Sequence, residues 1–194
     1  MAASVNAMAE ILLFHHILGL TSGVHAFADR LRAAGHTVHT PDSFEGRTFA
    51  SIEDGAAYCG EVGFEAIRDR GVAAAEGLPS ELVYAGFSLG AMPAQQLLQN
   101  RPGGRAGLFF HGFADPAYFG EWPGLPVQVH AMADDEFWLE DKDAAEAAAS
   151  SHDSIEIFTY PGNGHLFTDD SVADHDAAAT DLVLGRSLAL LERL

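Results

Sequence analysis

The sequence has few cysteines, few basic residues and no long apolar run. Its single cysteine, Cys59, cannot form an internal disulfide, which is consistent with a reducing compartment. No stretch reaches the roughly 20 apolar residues that a membrane-spanning helix requires. The apolar run 11–20 follows Glu10 and no basic segment, so it is interpreted as a buried strand and turn, not a signal peptide. We therefore expect a cytoplasmic protein with no membrane partner.

Basic side chains are scarce. Ten of them stand against 28 acidic ones, and the formal net charge is −18 at pH 7. The imbalance is concentrated in residues 106–194, which carry 17 acids and three bases. Such a surface repels phosphate backbones and anionic lipid headgroups. Nucleic-acid binding is therefore not expected, and the simplest role of the excess charge is to keep the surface soluble.

Six short apolar runs alternate with amphipathic stretches along the chain. Its length of 194 residues predicts a single domain that spans residues 1–194. The predicted strands are Ile11–His15, Thr37–Thr40, Leu82–Phe87, Gly107–His111, Val127–Met132 and Ile155–Tyr160. The predicted helices are Gly23–Ala34 (capped by Ser22), part of Glu53–Glu76, Ala91–Gln99, Leu139–Ser150 and Val172–Leu194. This alternation predicts an α/β fold whose mainly parallel sheet of about six strands has helices on both faces, with no separate lid domain.

A nucleophile motif follows the third predicted strand. Residues 86–90 read Gly-Phe-Ser-Leu-Gly, a match to G-x-S-x-G. In that motif a sharp strand-to-helix turn exposes the serine hydroxyl above the sheet, and the glycines let neighbouring segments pass closely. The amide of Leu89 would then lie at a helix N-terminus, where it can stabilise an oxyanion. Ser88 is the candidate nucleophile.

A base and an orienting acid are found in the order that such a serine requires. A hydroxyl is a weak nucleophile until a histidine accepts its proton and an acid fixes that histidine. Asp134 and Asp135 follow the fifth predicted strand, and His165 follows the sixth, which gives the chain order Ser, Asp, His. The residues alone do not choose between the two aspartates.

These motifs resemble the dienelactone hydrolase family of α/β-hydrolases. The similar stretches span most of the chain: 15–20, 35–42, 86–90, 126–136 and 160–167. The resemblance implies an α/β-hydrolase fold, selects Asp135 as the acid, and implies that the amide of Ile17 is the second oxyanion donor beside Leu89. It implies hydrolysis of an ester-like bond without a cofactor.

The sequence departs from the family pattern at three positions. Ser88 stands where the best-known members have a cysteine, and His16 stands where they have a glutamate just before the oxyanion amide. Asp169 occupies the position of the arginine that binds the substrate carboxylate. The resemblance therefore implies the fold and the reaction class but not a dienelactone substrate.

The small-molecule substrate is expected to be neutral or cationic rather than anionic, because the loops expected around Ser88 are rich in acids. Arg47, Arg68 and Arg70 are the bases that could still reach the pocket from the loop region after the second strand. His16, Phe113 and Trp138 are pocket candidates, as is Trp122, although aromatic residues more often fill a core. The histidine pairs lack the spacing of a zinc motif, so no metal is expected.

Three functional interpretations remain open from the sequence. The first is a serine hydrolase that cleaves an ester-like bond through Ser88, Asp135 and His165. The second is thioesterase or acyl-transfer activity with the same residues, since leaving group and acceptor depend on pocket shape. The third is a catalytically silent binding protein of the same fold. The oligomeric state and the physiological substrate are not evident from the sequence.

Overall fold

Six parallel strands form one sheet in the computed structural model, which describes residues 8–194. The strands are β1 (Glu10–Phe14), β2 (Thr37–His39), β3 (Val83–Phe87), β4 (Ala106–Phe110), β5 (Val127–Met132) and β6 (Ile155–Tyr160). Each predicted strand is present, with ends within one residue of the expected ones. The predicted α/β-hydrolase fold is confirmed.

The strand order places a crevice where the chain reverses direction across the sheet. The order is β2-β1-β3-β4-β5-β6, so the chain runs outward from β1 to β2 and then returns to β3 on the other side of β1. In open parallel sheets, ligands bind beyond the carboxyl ends of the strands at such a switch point. The loops after β1 and β3 meet there, and the loops after β4, β5 and β6 follow along the same edge.

Six α-helices accompany these strands, five of them between strands and the last after β6: α1 (Ser22–Ala33), α2 (Ile52–Val62), α3 (Phe64–Ala73), α4 (Ala91–Asn100), α5 (Glu136–Ser151) and α6 (Ala177–Leu191). The first is capped by Thr21, not by Ser22 as predicted, because the Thr21 hydroxyl accepts the amide hydrogen of Val24 at 3.2 Å. The segment 53–76 holds two helices, since Gly63 has φ of +99° and breaks the helical path. The last helix starts five residues later than predicted.

The core consists of two apolar clusters, one on each face of the sheet. One face is covered by α1 and α6, through Phe27, Leu31 and Val183, and the other by α4 and α5, through Leu98 and Trp138. A third, smaller cluster lies at the carboxyl ends of the strands. It joins the loops after β1 and β6 to α2 and α3, and its buried members are Ile17, Leu18, Phe44, Tyr58, Cys59, Ile67 and Leu166. Within residues 8–194, no helix is both long and apolar enough to cross a bilayer.

Candidate active site

Ser88 lies in a strained turn between β3 and α4. Its φ is +49°, in the left-handed region that non-glycine residues rarely occupy, and this strain is typical of a nucleophile elbow. Both flanking glycines are sterically required. A Cβ atom at Gly86 would lie 2.1 Å from the carbonyl oxygen of Gly90, and one at Gly90 would lie 2.6 Å from the carbonyl oxygens of Phe14 and His15.

The structure brings Ser88, His165 and Asp135 together in one hydrogen-bonded chain. The Oγ of Ser88 lies 2.7 Å from Nε2 of His165, and Nδ1 of His165 lies 2.7 Å from Oδ2 of Asp135. A carboxylate only accepts hydrogen bonds, so Nδ1 carries the ring proton and Nε2 is left to accept the Ser88 hydroxyl proton. Three residues from the ends of β3, β5 and β6 thus form the arrangement in which a histidine can activate a serine.

The two neighbouring aspartates have different environments. Asp135 is 1% exposed and is the N-cap of α5, where Oδ1 accepts the amide hydrogen of Phe137 at 3.1 Å. Asp134 is exposed, and its amide donates to the carbonyl of Gly162. Capping fixes the Asp135 side chain at the N-terminus of α5 and leaves its second oxygen for His165, so Asp135 is the aspartate that reaches the ring.

A cavity of about 440 Å³ opens beside Ser88 and His165. Its walls come from the loop after β4, from the first turns of α4 and from α5. The lining residues are Ser88, Leu89, Ala91, Met92, His111, Gly112, Phe113, Ala114, Asp115, Tyr118, Phe137, Glu140, Asp141, Ala144 and His165. Gln95 of α4 holds the wall in place, since its side-chain amide accepts from the Ala114 amide at 3.0 Å and donates to the Ala114 carbonyl at 2.7 Å.

The two residues predicted to supply oxyanion amides both contribute to the smaller cluster, Ile17 as a buried member and Leu89 as a residue packed against it. Leu89 directly follows Ser88 and lines the cavity, and its side chain packs against the cluster that contains Ile17. Ile17 lies in the loop after β1, where its peptide is held by α2. A Cβ atom at Gly55 would lie 2.1 Å from the Ile17 carbonyl oxygen, so the helix backbone directly abuts this peptide.

His16 does not line the cavity; it is buried in a polar network with Asp169. Its Nε2 lies 2.7 Å from Oδ2 of Asp169, and its Nδ1 accepts the amide hydrogen of Leu18 at 3.2 Å. Because Nδ1 accepts, Nε2 must be the nitrogen that donates to the carboxylate. The ring thus links the loop after β1 to the loop after β6 and has no contact with the cavity.

Asp169 is a structural residue that the sequence reading did not identify as such. It is 3% exposed and accepts four hydrogen bonds, from His16, from the Thr21 hydroxyl at 2.5 Å, and from the amide and hydroxyl of Ser171 at 2.7 and 2.5 Å. Burial alone would raise the pKa of Asp169, but the hydrogen bonds from His16, Ser171 and Thr21 hold this pKa well below its usual range. No carboxylate-binding role is left for this position.

The aromatic pocket candidates lie in different environments. Phe113 lines the cavity. Trp138 is 1% exposed and Trp122 is 8% exposed, and both pack in the apolar cluster beneath α4 and α5, so the assignment of Trp138 to the pocket was wrong. Trp138 lies on the face of α5 that turns toward the sheet, whereas Phe137 and Asp141 lie on the face that turns toward the cavity.

His111 is a cavity residue that the sequence reading missed. It directly follows β4 with φ of +64°, and its Nε2 lies 2.7 Å from the hydroxyl of Thr168. Burial lowers the pKa of His111 well below its usual range, and its Nδ1 has no hydrogen-bond partner among the described residues. The signal that could have found it is the histidine directly after an apolar strand, at the same edge as Ser88 and His165.

The other buried histidines have structural partners. The Nε2 of His15 accepts the amide hydrogen of Ser43 at 3.0 Å, and burial lowers the pKa of His15 to about 4. His130 lies beside the hydroxyl of Tyr160, and burial lowers its pKa to about 3. Burial also raises the pKa of the Cys59 thiol. Across residues 8–194, no three histidine, cysteine or acidic side chains are grouped closely enough to hold a metal ion.

Comparison with known proteins identifies related folds. The model of the dienelactone hydrolase family matches residues 1–194. A dienelactone hydrolase-like promiscuous phosphotriesterase, P91, from metagenomic libraries is 20% identical, with a TM-score of 0.73 over 97% of this chain and 87% of that one. A dienelactone hydrolase from Anabaena variabilis is 17% identical, with a TM-score of 0.72 over 97% and 88% of the two chains. No curated protein sequence matches the chain.

Proposed function

The chain belongs to the dienelactone hydrolase family, and from this membership and the site geometry we propose that it is a serine hydrolase of small ester-like substrates. The proposed nucleophile is Ser88, the general base is His165 and the orienting acid is Asp135. The reaction proceeds through an acyl-enzyme and needs no cofactor.

The observation that carries the proposal is the hydrogen-bonded chain at the strained serine. Distances of 2.7 Å at both hydrogen bonds support these roles, because a proton could pass from Ser88 to His165 without any rearrangement. Ser88 also borders a cavity large enough for a small molecule. A silent binding protein would have no need to keep a backbone angle of +49° at Ser88, which costs on the order of 1–3 kcal/mol.

In the first half of the reaction, Oγ of Ser88 attacks the substrate carbonyl carbon while its proton moves to Nε2 of His165. The carbonyl oxygen becomes an oxyanion that accepts hydrogen bonds from the amides of Leu89 and Ile17. The carboxylate of Asp135 stabilises the imidazolium that forms. The tetrahedral intermediate then collapses, the bond to the leaving oxygen breaks, and Nε2 returns the proton to that oxygen.

In the second half, water releases the acyl group. Nε2 of His165 takes a proton from a water molecule, whose oxygen attacks the acyl carbon, and the proton is returned to Oγ of Ser88 as the acid leaves. A thiol leaving group or an alcohol acceptor would follow the same steps. Ester hydrolysis is favoured here because the cavity is open to water and hydrolysis of ester-like bonds is the activity that the family implies.

The test combines covalent labelling with turnover. A fluorophosphonate probe should modify Ser88 alone, and mass spectrometry of the digested protein should locate the adduct. A panel of nitrophenyl esters of increasing acyl length should be hydrolysed. A nitrophenyl thioester is included to compare sulfur with oxygen as the leaving atom, and a phosphotriester to compare phosphorus with carbon as the atom attacked. Ser88→Ala should lower kcat by several orders of magnitude, up to roughly a million-fold by the precedent of subtilisin.

A matched control separates loss of the nucleophile from loss of the fold. Ser80→Ala replaces an exposed serine in the turn before β3, and this variant should label and turn over like the parent. An adduct on Cys59, or ester hydrolysis that survives in Ser88→Ala, would contradict the proposal.

A further inference from the structure

The cavity beside Ser88 has carboxylates on two of its walls. Asp115 comes from the loop after β4, and Glu140 and Asp141 come from successive positions of α5. No lysine or arginine is among the lining residues, and the two histidines are the only nitrogen-bearing side chains there. An ionic group that enters this cavity therefore meets negative charge only, unless one of those rings is protonated.

Asp141 lies close to the serine backbone. A Cβ atom built on Gly112 would lie 3.4 Å from Cα of Ser88 and 3.7 Å from Oδ2 of Asp141, so one small group seated at Gly112 would touch both. The amide of Phe113 donates to Oδ2 at 3.0 Å and fixes the carboxylate at the wall. Burial raises the pKa of Asp141, because its carboxylate has lost part of its hydration.

Aromatic rings border the same cavity. Tyr118 is 76% exposed and Phe137 is 38% exposed, although large aromatic side chains usually bury most of their surface. The Phe137 ring also lies 4.3 Å from the His165 ring, centroid to centroid, and so is held next to the reacting atoms. Carboxylates together with exposed aromatic faces are the environment that binds ammonium and quaternary ammonium groups.

The arginines that the sequence left as alternatives are engaged elsewhere. Arg70 donates to the Ser43 carbonyl and lies 3.5 Å from Glu45, and Arg68 is paired with Asp69 at 2.9 Å. Arg47 covers the ring of Tyr58 at 5.3 Å. Lys142 follows Asp141 on α5 but lies 3.7 Å from Glu146, one turn away along the helix, and is not a lining residue.

We propose that this cavity is a cation subsite and that the enzyme prefers esters bearing an ammonium or quaternary ammonium group, with Asp141 as the main electrostatic contact. The preference for cationic esters rests on the proposed function, because it names the substrate class of the same site. Binding of the cation concerns the cavity alone and is measurable without turnover.

The kinetic test uses isosteric ester pairs that differ only in charge. One pair is acetylcholine, the acetate ester of choline, and 3,3-dimethylbutyl acetate, in which a tert-butyl group replaces the trimethylammonium group. The other pair carries the same change in the acyl part of a nitrophenyl ester. At pH 8 and low ionic strength, kcat/KM should be about tenfold or more higher for the cationic member of at least one pair. The reason is that the Asp141 carboxylate attracts the ammonium group when little salt screens the two charges. Added salt should reduce the preference.

The variants test the assignment to Asp141. Asp141→Asn keeps a side-chain oxygen that can accept from the Phe113 amide, and it should lower the ratio of cationic to neutral kcat/KM severalfold. Asp143→Asn removes an exposed carboxylate from the same helix, outside the cavity, and should leave that ratio unchanged. Equal kcat/KM within both ester pairs, or an unchanged ratio in Asp141→Asn, would overturn the proposal.

A binding measurement separates failure of the subsite from failure of the proposed function. Calorimetric titration of Ser88→Ala with choline, and with its uncharged tert-butyl isostere, should give tighter binding of choline, weakened in the double variant with Asp141→Asn. Esters hydrolysed at Ser88 with equal binding of the two alcohols would reject the subsite alone. Selective choline binding in a protein that hydrolyses none of the esters would reject the hydrolase and support the subsite.

Discussion

Nε2 of His16 donates a hydrogen bond to Oδ2 of Asp169 across 2.7 Å, in the interior beneath the candidate active site. The family resemblance implies a departure from the family pattern at both of these positions, and the two side chains contact each other. A buried imidazole requires an acceptor and a buried carboxylate requires donors, so each side chain supplies a partner that the other needs.

Asp169 joins three segments that frame the site. Through His16 it holds the loop after β1, through Thr21 it holds the start of α1, and it lies four residues after His165. The fit is close, because a Cβ atom at Gly23 would lie 1.7 Å from Oδ1 of Asp169. The network thus fixes the Ile17 peptide relative to His165, although neither His16 nor Asp169 touches the cavity.

Asp169→Asn should therefore destabilise the protein and also lower kcat. An asparagine amide offers one acceptor oxygen to four donors and turns an NH2 group toward some of them, which leaves buried donors unpaired at about 1–3 kcal/mol each. Urea denaturation should show a clear fall in the free energy of unfolding. Asp170→Asn is the matched control, since Asp170 is the exposed neighbour. Equal stability of the two variants would show that the network contributes nothing.

The choice of aspartate has its own test. Asp135→Asn should lower kcat by roughly ten-thousandfold, the factor observed when a serine-protease triad loses its acid and the histidine adopts the wrong tautomer. Asp134→Asn should keep most of the activity, because that side chain is exposed and Asp135 holds His165. The measurement is single-turnover acylation of each variant. The opposite ranking would move the acid by one residue.

The strands of the sheet and the turn at Ser88 could be predicted from the sequence because each has a local signal, whereas the choice of Asp135 over Asp134 came only from the family resemblance. Buried parallel strands are continuous apolar runs, and the elbow glycines are needed wherever the chain passes itself closely, as the contacts of Gly86 and Gly90 show. The family was also predicted, and the family model confirms it. The order of Asp135 and His165 along the chain suffices to place them at neighbouring strand ends.

What the sequence did not reveal depends on tertiary contacts. Asp169 is one acid among 28, and its partners His16 and Thr21 lie about 150 residues earlier in the chain. Trp138 and Phe137 are adjacent on α5, and only the helix orientation decides which of them is buried and which faces the cavity. The position of Asp141 at the cavity follows from that same orientation.

Buried neutral histidines should make stability fall as the pH is lowered below about 6.5. Burial depresses the folded-state pKa of His15 to about 4 and that of His130 to about 3, so between these values and 6.5 the unfolded chain binds protons that the folded chain does not. The free energy of unfolding should decrease from pH 7 to pH 5, by up to about 1.4 kcal/mol per pH unit for each such ring. Urea titrations at several pH values measure the slope.

His130→Gln tests the origin of that slope. This variant should be less stable than the parent at neutral pH, because the contact with Tyr160 is altered, yet its stability should depend less steeply on pH. The slope of the free energy of unfolding against pH should fall by the equivalent of one proton, about 1.4 kcal/mol per pH unit. A variant with an unchanged slope would assign the pH dependence to other groups.

The Ile17 peptide can be displaced from a distance through α2. Gly55→Ala would put a methyl group 2.1 Å from the Ile17 carbonyl oxygen and 3.0 Å from its carbon, so the loop after β1 must shift. Gly60→Ala lies on the same helix, where a Cβ atom would meet nothing within 4 Å. Glycine is a poor interior helix residue, so this control should be as stable as the parent or more stable by up to about 1 kcal/mol.

If the Ile17 amide stabilises the oxyanion, Gly55→Ala should lower kcat more than its loss of stability explains. Removing one oxyanion donor costs roughly a hundred- to a thousandfold in kcat, and a displaced donor should lose a part of that. Fluorophosphonate labelling of Ser88 and kcat for a neutral nitrophenyl ester should both decline, while KM changes little because the cavity walls are untouched. A Gly55→Ala variant that is destabilised but fully active when folded would show that the Ile17 peptide takes no part in the reaction.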